Sequence, residues 1–186
     1  RREINKILLA FTQLLRPEIP ELLKAWNLLG LLDFIRAKAL LSNEYKCVIP
    51  EITDEPTFLW RQARHPLLEQ KLKSQDKHIT PLDLSLDKDN RILVISGPNA
   101  GGKSVCLKTA GLLQYMLQCG MLIPVHERSR AGLFKSLFID IGDQQSIEDD
   151  LSTYSSHLLN MKHTLKNCDK ASLILIDEFG GGTEPL

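Results

Sequence analysis

The sequence predicts an α/β fold, a largely parallel sheet covered by helices and preceded by a helical segment. Three observations carry this. Residues 1 to about 42 repeat apolar side chains at three- and four-residue spacing. From residue 46 onward, short strand-like and helix-like stretches alternate. Within that alternation the apolar run "RILVIS" leads through a glycine-rich loop into an apolar-periodic stretch, as a buried strand would lead into a helix.

The N-terminal helices follow from Ile4, Ile7, Leu8, Phe11, Leu14 and Leu15, which form one stripe. Pro17 and Pro20 interrupt it, so a first helix is expected to stop near Arg16. A second starts near Glu21 and runs through Leu22, Leu23, Trp26, Leu29, Leu32, Phe34, Ile35 and Ala39, weakened but not ended by Gly30. The pair reads either as a helical stem or as two helices packed into the core. The boundary is set at 1–45 for the helical lever or linker and 46–186 for the α/β core.

In the core, "KCVIPEITDEP" reads as extended chain, "TFLWRQARHPLL" as an edge strand leading to a loop, and "ITPLDLSL" as a half-exposed strand. "DKDN" is a hairpin-type turn. The stretch from Gly101 to Gly120 reads as a helix, "LIPV" and "LFKSLFIDIG" as strands, and "SSHLLNMKHTLKNCD" as a helix with Leu158, Leu159, Met161 and Leu165 on its apolar side. "SLILIDE" is a second buried strand.

Composition narrows the possible roles. The chain has 186 residues, 43% hydrophobic, 25% charged and with zero net charge. A domain that grips nucleic acid by itself is usually basic, so this segment is not expected to be such a grip. Cys47, Cys106, Cys119 and Cys168 show no C-x-x-C or zinc spacing and read as reduced thiols of a cytoplasmic protein. No apolar run reaches membrane-spanning length, and no signal peptide is visible. The chain starts "RREINK" without Met and ends "DEFGGGTEPL", so both ends read as cuts in a longer protein and the core as truncated at its C-terminus.

Residues Gly97-Pro98-Asn99-Ala100-Gly101-Gly102-Lys103-Ser104 fit G-x-x-x-x-G-K-[ST], the pattern of a phosphate-binding loop. Glycines let backbone N–H groups surround phosphate oxygens, and the N-terminus of the following helix, which includes Val105, adds partial positive charge. Lys103 would place a cation on the β- and γ-phosphates of ATP, and the Ser104 hydroxyl would ligate Mg2+. Asp177 ends a buried strand and would hold the metal; Glu178 beside it would polarise the attacking water. The bland alternative for this pair is an ordinary strand-terminal acidic turn. No N-K-x-D guanine-reading motif follows the loop, which argues against a GTPase. The D-E pair points to the ABC class of P-loop ATPases, in which two subunits sandwich ATP, although the transporter signature L-S-G-G-Q is absent.

Instead the chain carries "IGDQQSIEDDLSTYSSHLLNM" before the acidic strand. Together with "RHPLLE", "SGPNAGGKS" and "IDEFGGGTEP", this resembles the MutS family of DNA-repair ATPases over roughly residues 58 to 185. "LDFIRAKA", "IGDQQSIEDDLSTYSSHL" and "GTEP" are similar to the second bacterial MutS branch, which suppresses recombination, bears a C-terminal Smr nuclease domain and in some bacteria rescues collided ribosomes. The resemblance implies an ATP-driven, DNA-binding homodimer. It implies that Asn99 contacts the γ-phosphate or its water, and that Lys103, Ser104, Asp177 and Glu178 act as above. Ser152 and Thr153 would be the signature that reaches the partner subunit's ATP; their alternative is a plain helix N-cap. Gly180 to Gly182 would communicate across the dimer, and His78 and Ile79 lie in the segment that meets adenine. His65 is expected to pack or hydrogen-bond structurally, His157 and His163 to be exposed helix histidines, and residues 148–150 to form an acidic turn. A further strand and a phosphate-sensing histidine of the family are not in this sequence, so the 186-residue chain is expected to turn ATP over poorly. Two other readings were weighed: an ATPase subunit of another chromosome or transport assembly, and a nucleotide-binding dimerisation module without catalysis.

Overall fold

The computed structural model describes residues 1–98, 102–141 and 150–177, with the side chains of 150–156 left aside. The chain divides into two compact units, 1–43 and 44–186.

In the first unit, α1 (Arg2–Leu15) and α2 (Ile19–Glu44) are joined by a single 3-10 turn, Arg16–Glu18. Pro17 sits at the start of that turn, where a missing N–H costs nothing. Pro20 occupies the first turn of α2 for the same reason, so the two prolines pause the helix without separating its halves. Gly30 is carried inside α2. Every residue from Arg1 to Arg36 is exposed, Leu, Ile, Phe and Trp side chains included. No helix among the described residues is long and apolar enough to cross a membrane.

The second unit contains two sheets. The first has four strands in the order β1 (Glu51–Thr53), β4 (Arg130–Gly132), β2 (Phe58–Ala63), β3 (Leu82–Leu86). β1 and β4 are parallel; β2 runs antiparallel to both β4 and β3. The second sheet pairs β5 (Ser136–Asp140) with β6 (Ser172–Ile176) in parallel, Ser136 opposite Ser172 through Asp140 opposite Ile176. The sheet expected to be largely parallel is therefore split, and half of it is mixed.

β2 is an interior strand, not an edge. Phe58 and Trp60 alternate onto one face, stack at 4.7 Å and are buried, which fixes that face toward the core. Gln62 has φ +51° where the β2–β3 register shifts, and its N–H donates to the Asp83 carboxylate at 2.8 Å. The chain after β2 is a helix, α3 (Pro66–Lys73), not a loop.

α4 (Lys103–Gln118) joins the two sheets. Gln114 Nε2 donates to the Gly132 carbonyl of β4 at 3.0 Å, and the Phe134 N–H donates to Gln118 Oε1 at 3.1 Å. Towards the other sheet, a Cβ at Gly111 would lie 2.9 Å from Leu175 Cδ1 and 3.6 Å from Ile139 Cδ1, so the missing side chain brings α4 against β6. The helix ends as expected, with Gly120 at φ +70°.

Two strand expectations are corrected. "RILVIS" is not in a sheet: Ile92 is 85% and Val94 81% exposed, and no strand lies beside residues 91–96 among those described. An apolar run becomes a strand only where a neighbouring edge offers hydrogen-bond partners. "LIPV" contributes only a bridge between Ile123 and Val48. β1 and β4, three residues each, came from stretches read as extended chain or not read at all. The "DKDN" turn does form, with Asp87 Oδ1 accepting from the N–H groups of Asp89 and Asn90 at 2.8 and 2.7 Å.

α5 spans Asp150–Asn167. Of its expected apolar side, Leu158, Leu159 and Leu165 are turned outward and exposed, while Met161 faces inward as expected and with Asn160 and Thr164 lines a cavity of about 180 Å³ against β5 and β6.

Candidate phosphate-loop site

The site grows from the start of α4. Gly97 has φ +150° and Gly102 φ +82°, both in the region that side chains disfavour. Gly102 is the N-cap and has no side chain to offer, so the first-turn N–H groups keep their direction toward the loop. Its carbonyl accepts the first helical bond, from Cys106 N–H at 2.9 Å. Lys103 opens the helix, half-buried, and its Nζ donates to the Gly97 carbonyl at 2.6 Å. Ser104 is half-buried beside it and Val105 exposed; Gly97 and Pro98 are exposed. A helix N-terminus without a side-chain cap, with one ammonium group beside it, is chemistry suited to an anion.

The second component is Asp177, buried (8% exposed) immediately after β6. Its N–H donates to the Asp140 carbonyl at 2.9 Å, extending the β5–β6 ladder by one step. Packing of Gly111 against Leu175 joins the phosphate-loop helix to the strand that delivers this carboxylate. The Ser104 hydroxyl and a buried carboxylate are hard oxygen donors, the kind that Mg2+ takes.

Asn99, Ala100, Gly101, Glu178 and Gly180 to Gly182 lie outside the described residues. Ser152 and Thr153 fall in the first turn of α5, whose first residue is Asp150. They are therefore inside the helix and not its N-cap. Of residues 148–150, only Asp150 is described, and it is helical. His78 is exposed and Ile79 half-buried in the segment between α3 and β3.

The R-H-P stretch is structural. His65 is the N-cap of α3, its Nδ1 accepting from the Leu68 N–H at 3.3 Å, with Pro66 at the first helical position. Burial, reinforced by the Lys108 charge, lowers the imidazole pKa and so favours the neutral form that can accept this bond. Arg64 Nη1 donates to both oxygens of buried Glu69 at 2.8 and 3.0 Å, and Nη2 to the Tyr45 carbonyl at 2.8 Å. This fork ties α3 to the chain just after α2.

One cluster escaped the sequence reading. His157, expected to be exposed, is half-buried and its Nδ1 lies 2.9 Å from Asp140 Oδ2. Asn160 Nδ2 donates to Asp140 Oδ1 at 3.1 Å. The i, i+3 spacing of a histidine and an asparagine was the only sequence signal, and it does not name the partner. His163 is exposed, its ring edge-on to Phe138 at 6.1 Å.

Comparison with known proteins gives two findings. The family model for MutS domain V matches residues 93–186. Proteins named Endonuclease MutS2 are similar along the whole chain. That of Acetivibrio thermocellus is 46% identical over 183 residues, 98% of this chain and 22% of the relative. Those of Lactobacillus helveticus and Enterococcus faecalis are 45% and 46% identical over 185 residues, 100% of this chain and 23% of each relative. The chain thus spans less than a quarter of the length of these relatives, and the likeness includes the helical unit.

Proposed function

Since the chain belongs to the MutS domain V family, we propose that it is the ATP-binding and ATP-hydrolysing core of a MutS-type DNA-binding protein that acts in repair or in suppressing recombination. The observation that carries this is the pairing of a glycine-framed helix start at Lys103 with a buried strand-end carboxylate at Asp177, on elements packed together through Gly111. Residues 46–186 are the P-loop core and 1–45 the root of a lever that nucleotide state moves.

The residues divide the work. The backbone N–H groups of Gly97 and of residues 99–105, with Pro98 shaping the loop between them, and Lys103 hold the phosphates; on ATP binding, the Lys103 ammonium would exchange the Gly97 carbonyl for phosphate oxygens. Ser104 and Asp177 would hold Mg2+, which supplies charge neutralisation between the phosphates. Asn99 orients, and Glu178 accepts a proton from, the attacking water. Ser152 and Thr153 complete the partner subunit's site, so that two copies close around ATP. The names of the relatives add nuclease activity to the longer protein. Branched or mismatched DNA is the proposed target, with collided ribosomes a further one in the longer protein.

The test is ATP turnover by the full-length protein, with DNA, for wild type, Lys103→Ala and Glu178→Ala. Loss of nucleotide binding in the first variant, and retained binding with turnover lowered about a hundredfold or more in the second, is expected. Turnover that survives Glu178→Ala would remove the catalytic assignment.

A further inference from the structure

Asp140 stands where two functional elements meet. Its backbone carbonyl accepts from Asp177 N–H at 2.9 Å, and its two carboxylate oxygens engage His157 at 2.9 Å and Asn160 at 3.1 Å, both on α5. Its side chain is 15% exposed and that of His157 23%, so water competes weakly for the bond between them, whereas Asn160 is exposed and its bond lies at the rim. A carboxylate only accepts, so it fixes the His157 tautomer with hydrogen on Nδ1 and the Asn160 amide with its NH2 inward.

The polar attachment matters because, among the described side chains of α5, the leucines beside it contribute no packing. Leu158 and Leu159, between the two polar residues, are exposed. The helix starts at Asp150, seven residues before His157. At 1.5 Å per residue the helix start lies about 10 Å along the axis from His157, so a tilt of about 10° at His157 moves it by about 2 Å.

We propose that Asp140 is a positioning residue: through His157 and Asn160 it sets the angle of α5, and with it the placement of Ser152 and Thr153 relative to the strand end that delivers Asp177. This rests on the ATPase proposed above. The cis half of that site, at Lys103 and Ser104, does not depend on Asp140, whereas the half presented to a partner subunit does. Misplacement on this scale costs catalysis up to about a hundredfold without an equal loss of ground-state binding.

The experiment compares full-length wild type with Asp140→Ala, Asp140→Asn and His157→Ala, using two readouts: steady-state ATP turnover with binding of a fluorescent ATP analogue, and hydrogen exchange of α5 and β6 amides without nucleotide. Asn can accept from one partner and, after a tautomer shift, donate to the other. The expected result is a kcat lowered at least about tenfold in Asp140→Ala and His157→Ala, with analogue affinity within about threefold. Exchange should quicken in α5 but not in β6, and Asp140→Asn should recover most of the activity. Unchanged exchange in α5, unchanged kcat, or an equal loss of affinity and kcat each overturns the positioning role. A wild-type protein without turnover overturns the ATPase reading instead, and the positioning role falls with it.

Discussion

Gly132 is the position where one methyl group should do most damage to the four-stranded sheet. A Cβ there would overlap the Glu55 carbonyl oxygen, and would come within 2.9 Å of Thr57 N. These are backbone atoms, which cannot rotate aside. The Gly132 N–H also donates to the Thr57 carbonyl at 2.6 Å, and its own carbonyl accepts from buried Gln114. Relieving the overlap therefore moves β4 from β2 and from α4 together. Overpacking costs about 1–3 kcal/mol, and weakening a buried hydrogen bond about 1–3 kcal/mol more. A loss of about 3–5 kcal/mol is expected for Gly132→Ala, enough to unfold a marginal domain. The assay is urea unfolding of the full chain in a Trp26→Phe background, which leaves Trp60, fully buried on the neighbouring strand, as reporter. A loss below about 1 kcal/mol would refute the steric reasoning.

Other expectations follow the same logic. Folding lowers the His65 pKa from its ordinary 6.5, so the unfolded chain binds the proton more tightly. Stability should be complete above pH 6.5 and fall as the pH drops through that value toward the folded one; the urea midpoint of His65→Asn, which keeps a cap but cannot titrate, should fall less over this window. Arg64→Met leaves Glu69 buried with Lys73 at 3.1 Å as its remaining ion pair, and should cost about 3 kcal/mol or more in urea unfolding; a loss under 1 kcal/mol would show that Lys73 suffices. Burial raises the thiol pKa of Cys106 and lifts that of Cys47 to about 11, so a thiolate-selective reagent at pH 8 should label exposed Cys119 well before either. Equal rates would contradict the described burial.

The legible parts of the fold were those set by local chemistry. Gly120 ended α4, Asp87 made its turn, and the apolar run 172–176 became β6, because a few neighbouring residues decide each. Strand pairing is not local. "RILVIS" has the composition of a buried strand but no strand partner among the described residues, while β1 and β4 pair through three residues that no composition rule marks. α3 lies where the sequence suggests a loop after an edge strand, although Pro66 at its first position favours a helical turn. In α5 the leucines and Met161 suggest the packed face, but only Met161 is on it, beside the polar residues that Asp140 holds; the partner of His157 lies 17 residues away and is visible only in three dimensions. Of the candidate site, the motifs mark the loop glycines and Asp177, and a structural role is expected for His65, whereas nothing in the sequence marks the bonds of Arg64 to Glu69 and Tyr45.

The most direct test of the central claim is sedimentation of the full-length protein carrying Glu178→Ala, with ATP and Mg2+, with and without branched DNA. An ATP-dependent dimer that is retained on the DNA is the expected result, since binding without turnover should trap two copies around nucleotide. A protein that binds ATP and remains a monomer would contradict the sandwich, and with it the roles given to Ser152 and Thr153.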